Sequence, residues 1–225
     1  MAVAKRTVEL FYDVLSPYSW VAFEVLCRYR PVWHLDLRFR PFFLGGVMNS
    51  SGNRPPAMVP AKGAYMAKDL KRLREFYGVP LQQPKDFADV MLNKGSLSAM
   101  RLLVATSISH PDMLEHVSRQ FWLRVWSRDE DIVLPESLKM ACLASGLNET
   151  QTTALLSRIS DQDIKEKLKE NTKEALDAGS FGAPTIIAHH NDEKHMFFGS
   201  DRFLLLAHLF GVNWEGPLRP PQSNL

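Results

Sequence analysis

Three short stretches of this chain carry residue types suited to gripping a small charged ligand. The first is Ser16-Pro17-Tyr18-Ser19, between a strand-like run and a helix-like one. A helix N-terminus has free N–H groups and partial positive charge, so it stabilises an anion. The Ser16 hydroxyl adds a donor. No basic side chain stands beside it in sequence, so it suits holding a thiolate better than attacking a carbonyl. Serine is also a leading helix cap, and the turn alone leaves both readings open. The second stretch is Gly182-Ala183-Pro184-Thr185, ahead of a strand. A cis Ala183–Pro184 bond would free the N–H and C=O of Ala183 to pair with an extended peptide, as strand addition does; an ordinary trans turn is the alternative. The third is Gly199-Ser200-Asp201-Arg202, where Ser200 and Asp201 can cap a helix or bind ammonium and carboxylate groups.

These stretches need elements to position them. Thr7 to Val14 is β-branched and aromatic and reads as a buried strand. Ser16 caps a helix with Pro17 in its first turn, and Pro31 closes it. Leu35 to Arg40 alternates and reads as a second strand, making a right-handed βαβ unit. Phe42 to Pro60, rich in Gly, Asn, Ser and Pro, reads as a long functional loop. From Ala61 to Gly179 the pattern is helical, with Trp122 and Trp126 in the core and a capping box at Ser160–Asp163. Thr185–His189 and Lys194–Phe198 flank Asn191-Asp192 as a hairpin. Ser200-Asp201 then caps a last helix, Arg202 to Phe210.

The bulk numbers exclude several classes. The chain has 225 residues, 45% hydrophobic and 23% charged, with formal net charge +2. So mild an excess does not mark a nucleic-acid binder, and no apolar run spans a bilayer. Cys27 and Cys142 form no CxxC spacing and read as buried, inert thiols. His189, His190 and His195 lack companions at ligand spacing, so no metal site is expected. The basic start is too short for a secretory signal. The final Ser-Asn-Leu is like the peroxisomal Ser-Lys-Leu address, with Asn224 in place of the basic residue.

Phe-Tyr-Asp-Val-Leu-Ser-Pro-Tyr-Ser-Trp at the first turn, Gly-Asn-Arg-Pro-Pro in the loop, Phe-Gly-Ala-Pro-Thr and Phe-Gly-Ser-Asp-Arg together resemble the kappa-class glutathione transferases across essentially the whole chain. The set is shared with bacterial 2-hydroxychromene-2-carboxylate isomerases and, more distantly, with DsbA-type oxidoreductases. The resemblance implies an α/β fold: a thioredoxin-like βαβ–ββα domain from residues 1–60 and 180–225, with an all-helical insertion at 61–179. Direct dithiol exchange needs a sulfur nucleophile, so Ser16-Pro-Tyr-Ser19 is not expected to perform it.

By the same resemblance, Ser16 is the catalytic residue, bonding the glutathione sulfur, with Pro17 and Tyr18 beside it. Ala183, before cis Pro184, pairs with the cysteinyl backbone. The family usually has Leu there; the contact is through backbone, so binding should survive with less apolar cover. Ser200 and Asp201 hold the γ-glutamyl end, Asn53 and Lys62 approach from the loop, and Arg202 either binds or balances Asp201. The implied activity is conjugation of glutathione, as co-substrate and without a cofactor, to small hydrophobic electrophiles such as aryl halides, with peroxidase activity besides. A homodimer in the mitochondrial matrix or peroxisome is implied as well. Two alternatives stand: a glutathione-dependent isomerase that releases the thiol unchanged, and a non-enzymatic, chaperone-like peptide binder.

Overall fold

The β-branched and aromatic run forms β1 (Arg6–Tyr12), buried along its last five positions. It leads into α1 (Pro17–Val32) and then β2 (Leu35–Pro41), which pairs parallel to β1. Pro31 does not close α1; it sits in the last turn and the helix runs one residue past it. The computed structural model describes residues 5–218, so the first four residues and the final Ser-Asn-Leu lie outside the described residues. The far end of the chain completes the sheet. β3 (Thr185–His190) is antiparallel to β1 and β4 (Glu193–Phe198) antiparallel to β3, giving the order β2-β1-β3-β4. Asn191 and Asp192 have φ of 51° and 63°, the conformation a two-residue hairpin turn demands and these residue types tolerate.

Segment 42–60 differs from its reading as a loop. It holds α2 (Leu44–Ser51) and a 3-10 turn at Pro56–Met58. Leu44 and Val47 are buried, and the first amide of α2 is capped from a distance: Leu44 N–H donates to the Asp13 carboxylate at 2.9 Å. A cap 31 residues away leaves no local trace.

The helical stretch is α3 (Pro60–Tyr77), a π-helical turn at Asp89–Lys94, α4 (Leu97–Ser109), α5 (Leu114–Ser127), α6 (Pro135–Ala144), α7 (Glu149–Arg158) and α8 (Gln162–Asp177). The capping box does not form at Ser160–Asp163, where Arg158 pairs with both Asp161 and Asp163. It forms at the start of α7, between Asn148 and Gln151. The chain ends its regular structure in α9 (Phe203–Phe210). Among the described residues no helix is long and apolar enough to cross a membrane.

One continuous set of buried side chains runs from the sheet into the helices. At its centre the Trp122 ring lies 5.2 Å from Tyr12 and 4.8 Å from Phe23, and stacks on Trp20. The same helices satisfy the turn after β1. Trp122 donates its indole N–H to the Ser16 carbonyl and Trp126 to the Val14 carbonyl, both at 3.2 Å. Val14 N–H donates to Met100 Sδ at 3.4 Å. Asp13, fully buried, gathers Leu15 N–H, Leu44 N–H and the Ser96 hydroxyl.

Two stability predictions follow from this packing. Trp122→Phe removes the indole donor and part of a buried ring, and should cost about 2 kcal/mol or more. At ~2–4 °C per kcal/mol for a chain of this size, thermal unfolding should show a drop of several degrees; an unchanged midpoint would mean the Ser16 carbonyl does not depend on Trp122. Burial pushes the Asp13 carboxyl up from 3.8 to about 6, against three donors that pull it down. Folding therefore takes up a proton there. The stability this group contributes is full below pH 3.8 and is lost as pH rises through about 6, a component of the order of 3 kcal/mol. Asp13→Asn removes it. The unfolding free energy of the parent minus that of the variant, followed by urea titration, should fall between pH 4 and 6 and level off above about 7; a constant difference would contradict the assignment.

Candidate functional site

A cleft of about 830 Å³ opens beyond the carboxyl end of β1, where ligands bind in sheets of this kind. Ser16, Pro17 and Tyr18 line it from the turn. Asn53 and Lys62 line it from the segment ahead of α3 and from α3 itself, and Ala183, Ser200 and Asp201 from the loops flanking the hairpin. Pro184 and Arg202 are not among its walls. Pro184 is buried behind Ala183, joined to it by a cis bond, and its carbonyl accepts Gly199 N–H at 3.1 Å. That bond ties the Ala183 loop to the Ser200 loop.

Ser16 caps α1 and is almost fully buried. Its Oγ accepts Ser19 N–H at 3.1 Å and donates to the Ala183 carbonyl at 3.3 Å. Both readings of this serine, cap and ligand donor, therefore meet in one hydroxyl. The amides of the first turn can be accounted for singly. Pro17 has none, Ser19 N–H goes to Ser16 Oγ, and Trp20 N–H goes to the Ser16 carbonyl. Tyr18 N–H is left without a partner among the described residues. The Ala183 carbonyl, free in the sequence reading, is here occupied by Ser16, because the two loops meet across the cleft; Ala183 N–H has no partner among the described residues.

Asn53 bridges the cleft mouth, donating to the Phe181 carbonyl at 2.7 Å and accepting Arg54 N–H at 2.8 Å. Gly182 lies under this bridge. A Cβ there would stand 3.0 Å from the Phe198 ring and 3.5 Å from Asn53. Ser200 is buried, and Asp201 is exposed and paired with Arg202 at 2.9 Å. Neither caps α9, which begins at Phe203 without a side-chain cap; the Asp201 carboxylate has turned to Arg202 instead. The Tyr18 hydroxyl donates to Asp69 at 3.1 Å, and burial, reinforced by that carboxylate, pushes its pKa up so that it keeps its proton.

Several wall residues escape the sequence reading. Tyr65, Met66, Asp69 and Leu73 follow Lys62 at helical spacing on α3, a stripe that periodicity could have found once Lys62 was placed. Phe87 and Met91 come from a single helical turn and the π-helical turn that continues it, for which no local pattern exists. No cysteine lines the cleft. Burial raises both thiols, Cys142 to about 12, so neither ionises near neutrality. His189 is paired with Glu9 at 2.9 Å, and no cluster of three metal-ligating side chains gathers among the described residues.

The chain matches the family model of the DSBA-like thioredoxin domain over residues 7–211. It is 52% identical to human glutathione S-transferase kappa 1, across 100% of this chain and 99% of that one. A solved 2-hydroxychromene-2-carboxylate isomerase superposes with a TM-score of 0.72 at 26% identity, covering 91% of this chain and 94% of that one. A cytosolic disulfide reductase of Pseudomonas aeruginosa gives 0.62 at 16% identity, covering 85% and 89%, which is a likeness of fold.

Proposed function

The chain belongs to the kappa-class glutathione transferases, within the DsbA-like thioredoxin-domain family, and we propose that it acts by holding the glutathione sulfur as a thiolate against the Ser16 turn. It is an enzyme, so the chaperone-like reading is set aside. The observation that carries the proposal is the turn's donor account. The Ser16 hydroxyl and the Tyr18 amide are what the N-terminus of α1 has left to offer a ligand.

In this reading binding and activation are one exchange. The cysteinyl N–H of the tripeptide takes the Ala183 carbonyl, and Ala183 N–H takes the cysteinyl carbonyl. The Ser16 proton, now directed at Ala183, is thereby released to the sulfur. Ser200 and Asp201 receive the γ-glutamyl ammonium and carboxylate, with Arg202 balancing Asp201 from outside the cleft. Lys62, with Arg54 beside it on the wall, receives the glycyl carboxylate near Asn53. The thiolate then attacks an electrophilic carbon held among Met48, Met66, Leu73 and Met91; a C–S bond forms and the leaving group, a halide for an aryl halide, departs with its electron pair. The same thiolate would reduce hydroperoxides. No cofactor enters this reading.

The energetics are adequate only in combination. Lowering a thiol pKa from about 8.5 by about two units needs roughly 2.7 kcal/mol. A helix N-terminus supplies ~0.3–1, at most ~2 kcal/mol, and a hydrogen bond to a charged group ~1.5–3 kcal/mol. A homodimer and a mitochondrial or peroxisomal location belong to the proposal too. The exposed Tyr65 and Phe76 of α3 offer apolar area to a second copy.

The isomerase reading keeps a specific support in the superposition at 26% identity, and would use the same Ser16. Stoichiometry separates the two: conjugation consumes one glutathione per electrophile, isomerisation none. Ser16→Ala should lower turnover with an aryl halide by about 10–100-fold, the loss of one charge-assisted hydrogen bond. Its glutathione affinity should change less than about threefold, because the backbone pair and the terminal contacts remain. Undiminished turnover in that variant would refute the role given to Ser16.

A further inference from the structure

We propose that Asp13 is a positioning residue of the thiol-activating turn, its one carboxylate fixing Ser16 relative to α2 and to the segment ahead of α4. The inference rests on the reading of Ser16 given above. Asp13 is 0% exposed. Its Oδ1 accepts Leu15 N–H at 2.9 Å, and its Oδ2 accepts Leu44 N–H at 2.9 Å and the Ser96 hydroxyl at 2.8 Å. Its backbone carbonyl accepts Ser16 N–H at 3.0 Å. Residues 15 and 16 are thus held by the side chain and main chain of the same residue.

The three donors come from different elements, and two of those elements wall the cleft. Leu15 and Ser16 line it from the turn, and Leu44, Gly45 and Met48 from α2. The third donor, Ser96, is the residue ahead of α4, the helix whose Met100 already accepts Val14 N–H. α2 has no cap of its own, since Phe43 offers no side-chain bond and Leu44 N–H depends on Asp13. The site requires a carboxylate. Three donors converge on two oxygens, and an amide supplies one acceptor oxygen with two N–H groups of its own. Asp13→Asn must therefore set a donor against Leu15, Leu44 or Ser96, and either the turn or α2 gives way. Ionised Asp13 is buried at the expense of stability, a pattern of residues kept for function.

A carboxylate that only held α2 in place would change stability and nothing else, so the test reads the bound thiol. The pKa of enzyme-bound glutathione is titrated by its ultraviolet thiolate absorbance in the parent, Asp13→Asn, Ser96→Ala and Ser16→Ala, each full length and below its unfolding temperature. Asp13→Asn should raise that pKa by at least about half a unit, which for a thiol bound about two units below 8.5 takes the thiolate fraction at pH 7 from roughly three-quarters to about one-half. Ser96→Ala, which removes one donor and leaves the other two, should shift it in the same direction by less. Glutathione affinity should stay within about threefold in both. A bound-thiol pKa equal to the parent's in Asp13→Asn, alongside a changed unfolding temperature, overturns the proposal. Should Asp13→Asn fail to fold, Ser96→Ala decides: an upward shift supports positioning and no shift overturns it. Ser16→Ala separates the two levels. A shift there without one in Asp13→Asn defeats this inference alone, whereas no shift in Ser16→Ala defeats the thiolate reading and this inference with it.

Discussion

The turn between β1 and α1 is buried, and every buried backbone group must find a partner or incur the full desolvation penalty. That requirement organises the molecule. Residues 13–16 are not satisfied by the sheet, which ends at Tyr12, and find part of their bonding in Asp13 itself and in Trp20 N–H of α1, which donates to the Ser16 carbonyl. Four further partners come from the helical stretch: the Trp122 and Trp126 indoles, Met100 and Ser96. The helices are therefore more than a lid on a thioredoxin-like sheet. They hold the Ser16 turn in shape, and the aromatic packing of Trp122 on Tyr12, Phe23 and Trp20 fixes where its indole N–H sits.

The fold is shared with disulfide reductases, but here a hydroxyl stands at the helix N-terminus and no cysteine lines the cleft. The sulfur must then be borrowed. A borrowed thiol needs a peptide-binding edge, and in the proposed reading that edge is the Ala183 loop, pinned opposite the turn through Pro184 and Gly199. Charged groups at the cleft's margins, Lys62 and Asp201, suit the two ends of a short charged peptide.

Much of this was legible in the sequence because it is locally encoded. The cap at Ser16 with Pro17 after it and the hairpin at Asn191-Asp192 each follow from residues adjacent in the chain, whereas the cis bond at Ala183–Pro184 was implied by the family resemblance and left open by its neighbours. Some failures occur where the deciding partner is distant. α2 was hidden because its cap is Asp13 and not a neighbour. Two others fail locally, where a neighbouring arginine competes for the capping carboxylate: Arg158 takes Asp161 and Asp163, and Arg202 takes Asp201. The occupied Ala183 carbonyl could not be foreseen, since it depends on two loops 167 residues apart meeting. Wall residues on α3 were recoverable from helical spacing; Phe87 and Met91 were not, because a short helical turn running into a π-helical one places them.

A structure with glutathione bound tests the account most directly, through the position of the sulfur. The account predicts that sulfur within hydrogen-bonding distance of both Ser16 Oγ and Tyr18 N, with the cysteinyl N–H on the Ala183 carbonyl and the Ser16 hydroxyl no longer directed there. A tripeptide lying in the cleft with its sulfur away from the turn, and the Ser16–Ala183 bond intact, would contradict it.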